Sequence, residues 1–147
     1  MDPPPLDKSR LRVLRKLVEQ WRVRSAWQTL REIVSVKDAS DSLDRLRAVF
    51  YGLGTARADI LICNVVLPFA MAVALIEHDT MLAEQAQILY TEHPGLSSNR
   101  ITRAMCDQLQ LTREPRGACE QQGLQHIYQQ TCKDKRCELC MVGERKL

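Results

Sequence analysis

The sequence predicts an all-α fold, a compact multi-helix domain built around a central, proline-bent apolar helix. Residues 60–76, ILICNVVLPFAMAVALI, carry no charge and a single polar side chain, Asn64. On either side of this run, apolar residues return every three or four positions, the period of an amphipathic helix. Aromatic residues are only 5% of the chain and no alternating strand pattern of useful length occurs, which favours an aliphatic helical core over a sandwich or barrel.

Taken in order, Pro3, Pro4 and Pro5 form a stiff lead-in over residues 1–7, and Asp7 or Ser9 can cap the helix that follows. Leu11, Leu14, Leu17, Val18 and Trp21 define one apolar face of that helix. Trp27, Leu30, Ile33 and Val34 mark a second helix. Residues 38–42 form a turn that supplies a cap, and Leu43, Leu46, Val49 and Phe50 a third apolar face. Both tryptophans fall on apolar stripes, as core anchors do. The segment Gly52-Leu53-Gly54 reads as a tight turn needing positive φ ahead of the central helix. Pro68 removes a backbone donor and crowds the carbonyl four residues back, so a bend or break is expected over 64–67, with the Asn64 amide satisfied there or across the core. Asp79 or Thr80 caps a further helix that ends at His93-Pro94-Gly95. Ser97 or Ser98 starts another, and Pro115 opens a last one over 116–131. The expected organisation is a single helical domain over 8–131 and a cysteine-rich loop and tail over 132–147.

Net charge is only +3, yet eight basic residues against the lone acid Glu19 fall within 8–31, and eight acids against three arginines within 38–92. Such asymmetry suits an anionic partner at the basic end or attraction between two parts of the chain. Arg12, Arg15, Arg22 and, at the mouth of the central helix, Arg57 are the candidate nucleic-acid contacts. The Gly-hydrophobic-Gly spacing before Arg57 is similar to the hairpin of helix-hairpin-helix modules, where backbone N–H groups hold a phosphate. A run of 17 apolar residues is at the short limit for a bilayer span of about 20, and no aromatic belt or Lys/Arg flank marks an interface, so no membrane partner is expected. The opening MDPPPLDKSR has no apolar signal core, which points to a reducing, cytoplasmic setting.

In that setting the cluster Cys132-Lys-Asp-Lys-Arg-Cys137-Glu-Leu-Cys140 reads as metal-ligand spacing. Cys137 and Cys140 converge readily on one ion, Cys132 reaches it by folding back the intervening loop, and a closed zinc site needs four donors. His126, upstream on the last helix, is the leading fourth ligand; Cys119 and Cys106 are less direct. Zn2+ is expected ahead of an iron–sulfur cluster, with reduced thiols and no metal as the remaining alternative. Cys63 lies inside the apolar run and reads as packing, and His78 and His93 as helix-end residues. No nucleophile elbow, phosphate loop or His-Glu-x-x-His motif occurs.

Ala56-Arg57-Ala58-Asp59, Asn64-Val65-Val66-Leu67-Pro68, Asn99-Arg100-Ile101, Gly123-Leu124-Gln125-His126-Ile127-Tyr128 and the cysteine cluster together resemble the C-terminal region of a bacterial family, domain of unknown function 2851. The resemblance extends from about residue 6 onward and implies that the cysteines belong to the module's design. Members are usually longer, so the chain corresponds to a stand-alone version of that module or to part of a longer protein. A second, partial likeness is to iron–sulfur DNA glycosylases, which combine a hairpin with four cysteines; here three are clustered, at another spacing, and no lysine occupies the hairpin. The expected function is a metal-stabilised module for nucleic-acid binding or protein interaction, more a binding part than an enzyme on its own. The alternatives are an enzyme on nucleic acid with Arg57, Asp59 and His126 lining a cleft, and a purely structural domain.

Overall fold

The computed structural model describes residues 8–139, except for the side chains of Ser9, Arg10 and Cys137. The chain is all-α: α1 (Lys8–Val23), α2 (Ala26–Val34), α3 (Ala39–Val49), α4 (Thr55–Leu61), α5 (Leu67–Glu77), α6 (Thr80–Glu92), α7 (Arg100–Gln108) and α8 (Ala118–Gln130), with no strand among the described residues. The described residues group into two compact units, divided between Tyr90 and Thr91.

In the first unit the turns are set by local chemistry. Asp38 caps α3 by accepting from the Asp41 backbone N–H at 2.9 Å, and Asp79 holds the start of α6 by accepting from Leu82 N–H at 3.0 Å. The buried Ser42 hydroxyl donates to the carbonyl of Ile33 at 2.9 Å, within reach also of that of Val36 at 3.3 Å, so α3 reaches one of the last carbonyls of α2 and one in the turn after it. A 3-10 turn, Tyr51–Leu53, leads to Gly54, whose φ of 85° is the positive value expected of this turn. Gly52 is needed for a different reason: it lies so close under α1 that a Cβ there would run into the Val13 methyls.

The apolar run forms one continuous rod, Thr55–Glu77. Instead of breaking, the helix widens into a π turn over Ile62–Val66, in which the N–H of Leu67 reaches back five residues to Ile62. Pro68 then falls in the first turn of α5, where a missing N–H costs least. Asn64 stands on the exposed side of this turn. The core joins Ile62, Val66, Leu67, Ala70 and Ala74 of the rod to Val34, Leu43, Leu46 and Phe50 beneath it and to Leu82, Ala86 and Leu89 of α6. Full burial of one such large aliphatic chain contributes about 1.5–3 kcal/mol. Trp21 meets Phe50 edge-on at 6.4 Å and Trp27 meets Phe69 at 5.0 Å, so both tryptophans are half-buried anchors.

The second unit pairs α7 with α8. Asn99, not Ser97 or Ser98, is the N-cap of α7, because its Oδ1 accepts from the N–H of Thr102 at 2.9 Å. Nor does Pro115 open α8. Gly95 N–H donates to the Arg116 carbonyl at 2.8 Å and Ala118 N–H to the His93 carbonyl at 3.2 Å, an isolated bridge that keeps the backbone extended until Ala118. The buried Gln121 side chain clamps Leu96 through both its N–H and its carbonyl, at 2.6 and 2.7 Å.

Replacing Gly52 by Ala should destabilise the fold by about 1–3 kcal/mol through overpacking. The Gly52→Ala/Val13→Ala double variant should be more stable than the two single losses added together, as read from urea midpoints; strict additivity would show that the close approach is absent.

Candidate functional site

The rod was expected to be wrapped on all sides, and it is not. Its inner side is buried at Ile62, Cys63, Val66, Leu67, Ala70 and Ala74, whereas Val65, Phe69, Leu75 and Ile76 keep 55%, 52%, 69% and 79% of their surface exposed. Phe69, Ala72, Leu75 and Ile76 recur at three- and four-residue steps, which puts them on one exposed face of α5. Met81 at the start of α6 is exposed as well.

Ion pairs grip both ends of the rod. Near its start, Asp59 accepts from Arg47 of α3 at 2.7 Å, both side chains being largely covered. At its end, Arg31 of α2 donates to Glu77 at 2.6 Å and to Asp79 at 2.8 Å. The Asp79 carboxyl is held below its ordinary pKa by the Leu82 N–H and then by Arg31, and the Arg31 guanidinium is raised by Asp79 and Glu77. Burial pushes the Cys63 thiol up to about 12, with Asp59 adding to the effect, which fits the expected packing role.

Arg57 and Asp59, two members of the expected catalytic cleft, have local engagements: Asp59 with Arg47, and Arg57 with the Leu53 carbonyl at 3.5 Å. His126, the third, belongs to the second unit. The candidate nucleic-acid contacts Arg12, Arg15 and Arg22 share α1, where helical periodicity puts them on one exposed side with Lys8. Arg15 pairs with Glu19 at 3.0 Å, and Arg57 lies on another element, α4. The apolar stripe read for α1 is divided: Leu17 is buried and Trp21 half-buried, while Leu11, Leu14 and Val18 are exposed.

In the second unit, His126 is exposed on α8 and Cys132 is half-buried just beyond that helix. The Cys132 sulfur lies 3.5 Å from the Thr131 hydroxyl and 3.7 Å from Gln108 Nε2. Cys140 and the Cys137 side chain lie outside the described residues, and among the described residues no three His, Cys, Asp or Glu side chains gather as a metal group. The α7–α8 pairing also brings Asn99, Arg100 and Ile101 together with Tyr128 around a groove of about 620 Å³. Two motifs far apart in sequence thus meet in one place, which helical periodicity alone did not signal. Glu120 accepts both Arg113 nitrogens, at 2.8 and 3.0 Å, and the Arg116 N–H at 2.9 Å. Arg113 first, then that N–H, holds the Glu120 carboxyl down at about 2.

No family model matches the chain, and neither a curated protein nor a solved structure is similar enough to count as a relative.

Two measurements test this electrostatic description. Because Glu120 titrates near 2 in the fold instead of at its ordinary 4.5, its contribution to stability is complete above about pH 4.5 and drains away as pH falls towards 2. Melting curves between pH 5 and 2 should therefore fall more steeply for the native chain than for Glu120→Gln; parallel curves would contradict the bidentate pair. In thiol labelling at pH 8, exposed Cys119 should react at once and Cys63 only at the rate of global unfolding; prompt labelling of Cys63 would show an open core.

Proposed function

We propose that this chain is a non-catalytic helical interaction module, and that its first unit binds a protein partner through the exposed α5 face. The observation that supports this reading is the row Phe69, Leu75 and Ile76, each more than half exposed on a rod whose other side is built into a core. A bilayer is the rival occupant, since Thr55–Glu77 is long and apolar enough to cross a membrane. Spanning would strip Ile62, Val66 and Leu67 from the side chains they pack with, at a cost that lipid contact only replaces in kind. A partner that covers the outer face adds burial without undoing the inner one.

The reading keeps the resemblance to the C-terminal region of domain of unknown function 2851, and with it a metal-held tail. His126 near the end of α8 and Cys132 directly after it would supply two donors, and Cys137 and Cys140 the other two, zinc being the first choice and an iron–sulfur cluster the alternative. Clustered Lys133, Lys135 and Arg136 favour thiolates there. A second reading, nucleic-acid binding by α1, draws support from the exposed Arg12 and Arg22 and from the lone acid on that helix.

A photo-crosslinker placed at Leu75 should capture a discrete partner in cells, one placed at Lys37 should not, and Ile76→Glu should abolish the Leu75 product while leaving the melting temperature unchanged. Equal capture from both positions, or none from either, defeats the reading. Elemental analysis of protein purified without oxygen should find zinc in equimolar amount, lost in Cys137→Ser/Cys140→Ser; metal-free protein of full stability removes the metal-held tail. DNA and RNA affinity that is absent or insensitive to salt removes the role of α1.

A further inference from the structure

A groove of about 880 Å³ runs along the inner side of α1 in the first unit, away from the apolar row of α5. Its apolar surface comes from Val13, Leu17, Trp21 and Ile33. Lys16, Arg24 and Arg45 also line it, and no acidic residue does. From Val13 to Trp21 it follows about two turns of α1, roughly 12 Å at 1.5 Å per residue, and it reaches Arg24 just beyond the helix.

We propose that this groove binds a single-chain amphiphilic anion, with its aliphatic chain along the α1 floor and its carboxylate or phosphate head at a basic residue of the lining, Lys16, Arg24 or Arg45. The charge of the lining selects the head and its apolar floor selects the chain. Arg24 is paired with Glu32, and Arg45 with Asp41 at 3.3 Å. All four side chains are more than half exposed, and pairs of that kind contribute about 0–1 kcal/mol, so they yield readily to a ligand head group. The groove's volume lies within the range of about 300–1,000 Å³ typical of small-molecule sites.

Trp21 in the wall makes binding directly readable once the other tryptophan, which packs on Phe69 instead, is replaced in Trp27→Phe. Laurate titrated below its micelle concentration should shift Trp21 emission saturably, at least about tenfold more tightly than dodecanol or dodecyltrimethylammonium, and more weakly as salt rises. Dodecyl phosphate should match laurate. Lys16→Glu, an exposed position, should weaken laurate about tenfold with the far-ultraviolet dichroism unchanged, and Phe69→Ser should leave the Trp21 response intact. Equal affinity for the anion, the alcohol and the cation means non-specific apolar adsorption and overturns the proposal. So does a silent Trp21, or a response to an acidic amphipathic peptide with none to laurate. None of these outcomes involves the crosslink from Leu75, so this proposal and the protein-binding reading fail separately.

Discussion

A helix that is apolar all round has no intrinsic inside, and the first unit is organised by how that ambiguity is resolved. The rod Thr55–Glu77 is committed to one orientation by Arg47–Asp59 near its start and by Arg31 on Glu77 and Asp79 at its end. Magnitudes assign the roles. Exposed ion pairs are each worth about 0–1 kcal/mol, whereas a single buried Ile or Leu contributes about 1.5–3 kcal/mol. Burial of Ile62, Val66 and Leu67 therefore supplies the stability. Turning the rod about its axis would press Phe69, Leu75 and Ile76 into a core fitted around Ala58, Ala70 and Ala74, and would separate Asp59 from Arg47 as well. Close packing and the polar contacts at the two ends thus favour the same orientation.

The π turn belongs to the same solution. Pro68 cannot donate to the carbonyl four residues back, and a sharp kink would have carried the second half of the rod off the core. Inserting one wide turn at Ile62–Val66 keeps the helix continuous and puts the proline in a first turn. Ile62, Cys63 and Val66 within that turn, and Leu67, Ala70 and Ala74 after it, then all face inward. The widened turn also places Asn64 and Val65 outside, so the start of the exposed face is a direct consequence of where the proline stands.

What the sequence made legible, and what it did not, follows the same physics. Helix positions up to α6 could be read because their signals are local: a 3.6-residue period, Asp38 and Asp79 as caps, and Gly54 at positive φ. The inner and outer sides of the rod could not, because periodicity requires contrast between faces and residues 60–76 offer almost none. The start of α8 was misplaced because Pro115 is a sound local signal overridden by a non-local one, the backbone bridge from His93 and Gly95. Asn99 displaced Ser97 and Ser98 by being the residue whose side chain reached the Thr102 N–H, a distinction of two positions that pattern reading does not resolve. The α7–α8 groove was out of reach for a further reason, since Asn99 and Tyr128 meet only through tertiary packing. Of the expected metal ligands, only His126, exposed on α8, and Cys132, half-buried in the turn after it, have described side chains.

The division of α1 ties the two surfaces of the first unit to one design. Had its apolar residues all turned inward, Leu11, Leu14 and Val18 would fill the space against α2 and α3. Instead Leu17 alone is fully committed and Val13 and Trp21 contribute partially. An amphipathic helix normally buries its whole stripe, because each exposed Leu forfeits about 1.5–3 kcal/mol relative to burial. Leaving the groove unfilled while three leucine- and valine-sized side chains face solvent forgoes that stability, and the close approach of Gly52, in the 3-10 turn, to Val13 is part of how α1 is seated in this orientation. The same sacrifice recurs on α5 with Leu75 and Ile76. On both helices the same cause operates: the first unit's own packing takes one side of an apolar helix, at Leu17 and Trp21 or at Ala70 and Ala74, and leaves the neighbouring apolar residues outside.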